Sequence, residues 1–94
     1  MTTWITDEHG NRTFTHDNWS VKVWNKEFGA FRINIHAPGG WGSKHEVEVG
    51  PDGIWVNGED TGNWEGPTPS SFTIPWPVIA AITEAWAIVE KEKD

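Results

Sequence analysis

Between Trp19 and Val49 apolar and polar residues alternate with a period of two, and beyond Pro77 the period lengthens to that of a helix. In Trp19–Trp24 (WSVKVW), Trp19, Val21 and Val23 share one face, with Ser20, Lys22 and Trp24 on the other. Residues 30–36 (AFRINIH) place Phe31, Ile33 and Ile35 on one face and Arg32, Asn34 and His36 opposite. Pairing Val23 with Ile33 sets Trp24 beside Arg32, where a cation–π contact can form. Pairing Val23 with Phe31 would oppose Lys22 to Arg32, which is unfavourable. Lys44–Val49 (KHEVEV) presents His45, Val47 and Val49 on one face and Glu46 and Glu48 on the other. With Ile33 opposite Val47, Arg32 meets Glu48 and Asn34 meets Glu46, so the alternation predicts a continuous meander.

The flanking strands are less sharply written. Thr2–Thr6 and Arg12–His16 read as a hairpin around Asp7–Asn11, with Trp4 or Ile5 facing inward. Gly50–Pro51–Asp52–Gly53 is a turn, because proline presets one central φ and glycine accepts a positive one. Ile54–Asn57 returns from it in one of two registers. Val49 opposite Ile54 buries Ile54 and Val56, whereas a bulge that opposes Val49 to Trp55 buries Trp55. Pro38–Ser43 is a glycine-rich loop carrying Trp41, and the long polar segment Gly58–Ser71 carries Trp64.

From Pro77, the residues Val78, Ile82, Ala85 and Val89 fall on one helical arc, widened by Ile79, Ala81, Trp86 and Ile88. Proline fits a first helical turn and disfavours helix at the residue before it. The apolar stripe is wider than a coiled-coil seam and suits burial against a sheet. The predicted fold is α+β: an antiparallel five- to six-stranded meander sheet with one C-terminal amphipathic helix packed on one face. It occupies residues 1–94 as a single domain, with the sheet over 2–57, a loop over 58–73 and the helix over 76–92.

Composition narrows the chemistry. Eight Trp, eight Ile and seven Val, with no Leu, Tyr, Cys or Gln, describe a core of β-branched and aromatic side chains. The lack of Cys excludes a disulfide framework. No charged-then-apolar N-terminal segment and no apolar run of membrane-spanning length occurs, which points to the cytoplasm. The net charge of −7 opposes direct binding to nucleic acid and favours basic partners. His9, His16, His36 and His45 lack metal-ligand spacing, so no metal and no cofactor is expected. The serines have no nucleophile-elbow context, and Gly39–Gly42 follows no phosphate-binding pattern. The expectation is a protein without catalytic residues, not an enzyme.

The surplus of tryptophan is the informative feature. Trp24 falls on the outer sheet face and Trp41 and Trp64 fall in loops, more than a monomer this small ordinarily exposes. Together with Arg32 they are the candidate protein-contact residues, because Trp and Arg dominate binding hot spots. At Phe72–Ile82 (FTIPWPVIAAI), together with its Trp-rich strands and short length, the chain resembles small orphan proteins encoded by phages of actinobacteria. That resemblance brings no catalytic residues. It implies a protein that binds and modulates a host protein in the host cytoplasm. Three further readings compete with a protein-interaction module. One is an acidic decoy that imitates nucleic acid in a basic groove, and another is a small ligand- or sugar-binding domain. The third is a homodimer formed through the outer sheet face.

Overall fold

A computed structural model describes residues 2–28 and 31–93. The strands are β1 (Ile5–Thr6), β2 (Arg12–His16), β3 (Trp19–Val23), β4 (Ile33–His36), β5 (Ser43–Gly50), β6 (Gly53–Asp60) and β7 (Thr68–Pro69), followed by helix α1 (Trp76–Lys91). A 3₁₀ turn, Lys26–Phe28, follows β3. The architecture is α+β with antiparallel pairing, but the strands form two sheets and not one meander. One has the order β1-β2-β3-β4, the other β5-β6-β7.

The first sheet follows the alternation. Val23 pairs with Ile33 and Val21 with Ile35, as the charge argument requires. Asp17 and Asn18, both with positive φ, make the two-residue turn between β2 and β3. Asp and Asn tolerate that region better than other side chains, and its twist matches the flanking strands. Between β1 and β2 the Asp7 carboxylate collects the backbone N–H of His9 (2.8 Å) and Asn11 (3.0 Å) and the Asn11 amide (3.2 Å). Asn11, the one buried polar residue among those described, accepts from the Asn25 N–H at 2.8 Å. Asn25 in turn donates to the His9 carbonyl at 2.8 Å. The two turns at this end of the sheet are therefore tied together through Asn11 and Asn25.

Helix α1 covers the sheet where β3 runs. Val21, Val23, Val78, Ala81, Ile82 and Ala85 form the dry centre, with Trp19, Val47 and Val89 around it. Alanines at 81 and 85 let the helix lie close to the valines of β3. Pro75 precedes the helix without a side-chain cap, and its carbonyl accepts from Val78 (3.0 Å) and Ile79 (3.1 Å). Two prolines remove backbone donors that would otherwise be orphans at this terminus, which lessens the need for a cap. At the other end Glu92 pairs with Arg32 at 3.4 Å and Glu90 with Lys93 at 2.9 Å.

The expected ladder between β4 and β5 does not form. The strands border a cleft of about 690 Å³, lined on its inner side by Ile33, Ile35 and Val47. Two causes are visible. Arg32 lies before β4, its Nε donates to the Trp24 carbonyl at 2.9 Å, and its guanidinium reaches Glu92, so it does not meet Glu48. The Gly42 carbonyl accepts from Thr61 (2.9 Å) and Gly62 (3.3 Å), which anchors the β4–β5 connection to the far end of β6. Phe31, expected inward, is 91% exposed because the strand begins two residues later. The expected start of that strand at Ala30 lies outside the described residues.

In the second sheet the turn resolves to two residues, pairing Gly50 with Gly53 and Val49 with Ile54. Gly53 has φ +137°, open only to glycine. This register was expected to bury Ile54 and Val56. They remain 39% and 49% exposed, because α1 reaches β5 but not β6. Trp4, not Ile5, packs toward the core, edge-on to Phe14 at 6.2 Å. β6 continues to Asp60, and β7 forms inside what was expected to be loop. The radius of gyration is 14.7 Å, against about 12 Å for a compact chain of this length, because the β5–β6 hairpin projects from the helix-covered sheet.

Substitutions at Ile82, Asn11 and Asp7 test these sources of stability. Ile82→Asp places a charge at a fully buried position and is expected to abolish cooperative unfolding at 25 °C. Ile82→Val should cost only about 0.5–1.5 kcal/mol in urea titrations. Asn11→Ala strips the Asn25 N–H of its acceptor and should cost about 1–3 kcal/mol. Desolvation pushes the Asp7 carboxyl up, but the Asn11 and His9 hydrogen bonds outweigh it and hold the group below its ordinary value. Stability from Asp7 is then full above the unfolded value of about 4 and is lost as pH falls through the lower folded value. The wild type should therefore exceed Asp7→Asn in urea midpoint at neutral pH, with the gap closing below about pH 4.

Candidate functional site

Two loops meet at the end of the long hairpin away from its turn. In the first, Ser43 N–H donates to the Gly40 carbonyl (3.1 Å) and Ser43 Oγ accepts from Gly40 N–H (3.1 Å), closing a turn with Trp41 at its tip. In the second, Asp60 Oδ1 accepts from Gly62 N–H (3.0 Å), Asn63 Oδ1 from Glu65 N–H (3.2 Å) and the Asn63 carbonyl from Gly66 N–H (3.1 Å). These side-chain-to-backbone bonds shape a turn that carries Trp64. The loops are joined at Gly42 and Gly62. A Cβ on Gly62 would lie 3.2 Å from the Gly42 Cα, and Gly42 has φ +87°. Glycine at both positions permits this close approach of backbones.

Beneath the loops an aromatic column runs back to the core. Trp19 stacks on Phe72 at 6.3 Å, and Phe72 on His45 at 4.4 Å with planes 18° apart. His45 Nδ1 lies 2.7 Å from the Pro38 carbonyl, the distance of a hydrogen bond donated by the ring. The glycine-rich loop thus rests on a side chain that is itself stacked against the core. Trp41 and Trp64 are 99% and 92% exposed and flank a cleft of about 730 Å³ whose polar lining includes Ser43, Asp60 and Asn63. Nearby, Lys44 pairs with Glu46 at 2.8 Å, and that carboxylate, with Glu59 adding to it, raises the lysine above its ordinary range.

Of the four candidate contact residues, the structure brings Trp41 and Trp64 together and sets the other two apart. Trp24 is half-buried beneath the Lys22 ammonium, 3.9 Å from its ring centroid, with Phe28 at 6.4 Å. The expected cation on Trp24 was Arg32. The two residues do lie opposite each other, but Arg32 uses its guanidinium on the Trp24 carbonyl and on Glu92. Trp24 and Arg32 are therefore engaged within the fold and only partly exposed. Sequence reasoning left Trp55 open between two registers and did not foresee the exposure of Trp76. Trp55 depends on the β5–β6 register, and Trp76 sits at the start of α1, before the apolar stripe turns onto the sheet.

His36 and His45, expected on opposite sides of a sheet, both line a recess with Trp19 and Phe72. Among the described residues no group of three or more His, Asp or Glu side chains is placed to hold a metal ion. No described helix is long and apolar enough to cross a membrane. The chemistry on offer at this end is aromatic contact framed by a few hydrogen-bonding groups. Comparison with known proteins finds no matching family, no matching curated protein and no matching solved structure.

Proposed function

We propose that the protein is a non-catalytic interaction module that grips a protein partner with the end carrying Trp41 and Trp64. The observation that carries this reading is the exposure of both indoles on turns that are hydrogen-bonded internally and to each other. A large aromatic side chain on a preorganised turn loses little further freedom on binding, so most of its buried area appears as affinity. Asp60 and Glu65 beside these loops, and the net charge of −7, favour a partner with a basic surface. In a phage-encoded protein that partner would be a host protein.

The decoy reading draws less support. Glu46, Glu90 and Glu92 are each paired with a cation, which breaks up any continuous row of charge that would imitate a phosphate backbone. A saccharide ligand is the second reading. It is favoured by the polar groups of Ser43, Asp60 and Asn63 between the two indoles.

Immobilised protein should retain a partner from a host lysate, and a Trp41→Ala/Trp64→Ala variant should lose it, with at least a ~10-fold weaker affinity in titrations of the recovered partner. Trp24→Ala should leave retention unchanged. Equal recovery by the double variant would contradict the proposal. Quenching of tryptophan emission by one member of a saccharide panel, abolished in the same variant, would put the sugar reading first.

A further inference from the structure

The outer edge of β6 offers a second surface, and its own backbone sets the rules for what fits it. Ser70 N–H donates to the Gly58 carbonyl at 3.0 Å, so the Gly58 backbone groups face away from β5. With a strand period of two, the N–H and C=O of Ile54 and Val56 face the same way. β7 pairs only with Glu59 and Asp60, so among the described residues β6 from Gly53 to Asn57 has no strand on this side and forms an open edge. That stretch is uncharged, and Ile54, Trp55 and Val56 are 39%, 53% and 49% exposed. Open apolar edges of this kind recruit another strand.

We infer that β6 pairs antiparallel with β6 of a second copy of this chain, with Trp55 facing Trp55 on the two-fold axis. The register follows from three constraints. Matching faces requires the two paired residue numbers to sum to an even value. A register centred on Val56 would oppose Ile54 to Gly58, but the Gly58 carbonyl is taken by Ser70. The approach to Gly58 is also filled, since an added Cβ there would sit 2.5 Å from the Ser70 carbonyl oxygen and 2.9 Å from Phe72. A register centred on Ile54 would run Val56 into the turn at Asp52. Centring on Trp55 pairs Ile54 with Val56 of the second copy, and Val56 with Ile54. Each pair exchanges both of its outward hydrogen bonds. Gly53 then falls opposite Asn57, so the second copy's strand ends where β7 begins.

Trp55 lands at the non-hydrogen-bonded position, where side chains across two strands come closest. On the helix side Ile54 and Val56 of both copies join the apolar rows that start at Val47 and Val49. No like charges face each other along the seam, and the result is a four-stranded β5-β6-β6-β5 sheet. A seam of five residues a side is shorter than the ~20–30 residues a side of a standard interface, so the association should be weak and concentration-dependent. Each copy carries −7, so added salt should strengthen the dimer by screening their repulsion. The two Trp41–Trp64 ends would lie at opposite ends of the joined sheet, each free to bind.

Sedimentation velocity across roughly 5–500 µM should show a monomer–dimer equilibrium that shifts toward dimer with added salt. Val56→Pro removes an outward N–H without touching the β5 ladder, as proline does on edge strands, and should hold the protein monomeric at every concentration. The chain has no Cys, so Trp55→Cys gives a clean crosslinking probe. It should form a disulfide-linked dimer under mild oxidation, since cross-strand Cα spacing suits that bond. Asn57→Cys places its two thiols apart and should not crosslink. Wild-type monomer throughout the range, as expected if the edge instead takes a strand from another protein, would overturn the inference. So would dissociation by salt, an unchanged dimer in Val56→Pro, or equal crosslinking of the two cysteine variants.

Discussion

The packing of α1 on β3 is the contact on which the rest depends. Val21 and Val23 from the strand meet Ala81, Ile82 and Ala85 from the helix, and these residues are almost wholly withdrawn from water. With no Leu in the chain, the interface relies on small and β-branched side chains that let helix and sheet approach closely. A core this small leaves little surplus stability, so the polar ties around it matter. Asn11 with Asn25 secures one end of the first sheet, and Arg32 with Glu92 holds the β3–β4 turn against the end of the helix. Among the described residues, no buried side-chain polar atom lacks a partner.

The parts of the fold legible in the sequence are those set by local alternation. Val23 against Ile33 could be read because the wrong register opposed two cations, and the helix because its apolar arc is unbroken. The β4–β5 ladder misled because complementary residues are not sufficient for pairing. The connection must also lead the strands together, and here the Gly42 carbonyl is held by Thr61 and Gly62, residues far along the chain. Arg32 had a competing carboxylate in Glu92, sixty positions away, which no local pattern reveals. β7 was hidden by its composition, since Thr68–Pro69 lies among prolines and serines that ordinarily mark a loop.

The exposure of Trp41 and Trp64 was legible in the sequence, and the partial burial of Trp24 was not. Surplus tryptophan pointed to contact surfaces, and loop position singled out Trp41 and Trp64. Trp24 could not be excluded from the sequence, because its burial depends on Lys22 folding over its ring and on the Lys26–Phe28 turn behind it. Five of the exposed large apolar side chains, Trp41, Ile54, Trp55, Val56 and Trp64, lie on the β5–β6 hairpin and its loops. Under the proposed function the molecule has a division of labour: the helix-covered sheet holds the fold, and the projecting hairpin is the part that would meet other molecules.

Amide hydrogen exchange, resolved residue by residue, tests that division most directly. At low protein concentration Val21, Val23 and Ile82 should exchange only through global unfolding. Trp55 and Asn57, whose N–H groups face β5, should be protected, and Ile54 and Val56 beside them should exchange rapidly and slow down as concentration rises. Slow exchange at Ile54 and Val56 in dilute solution, or fast exchange along the whole of β5 and β6, would contradict it.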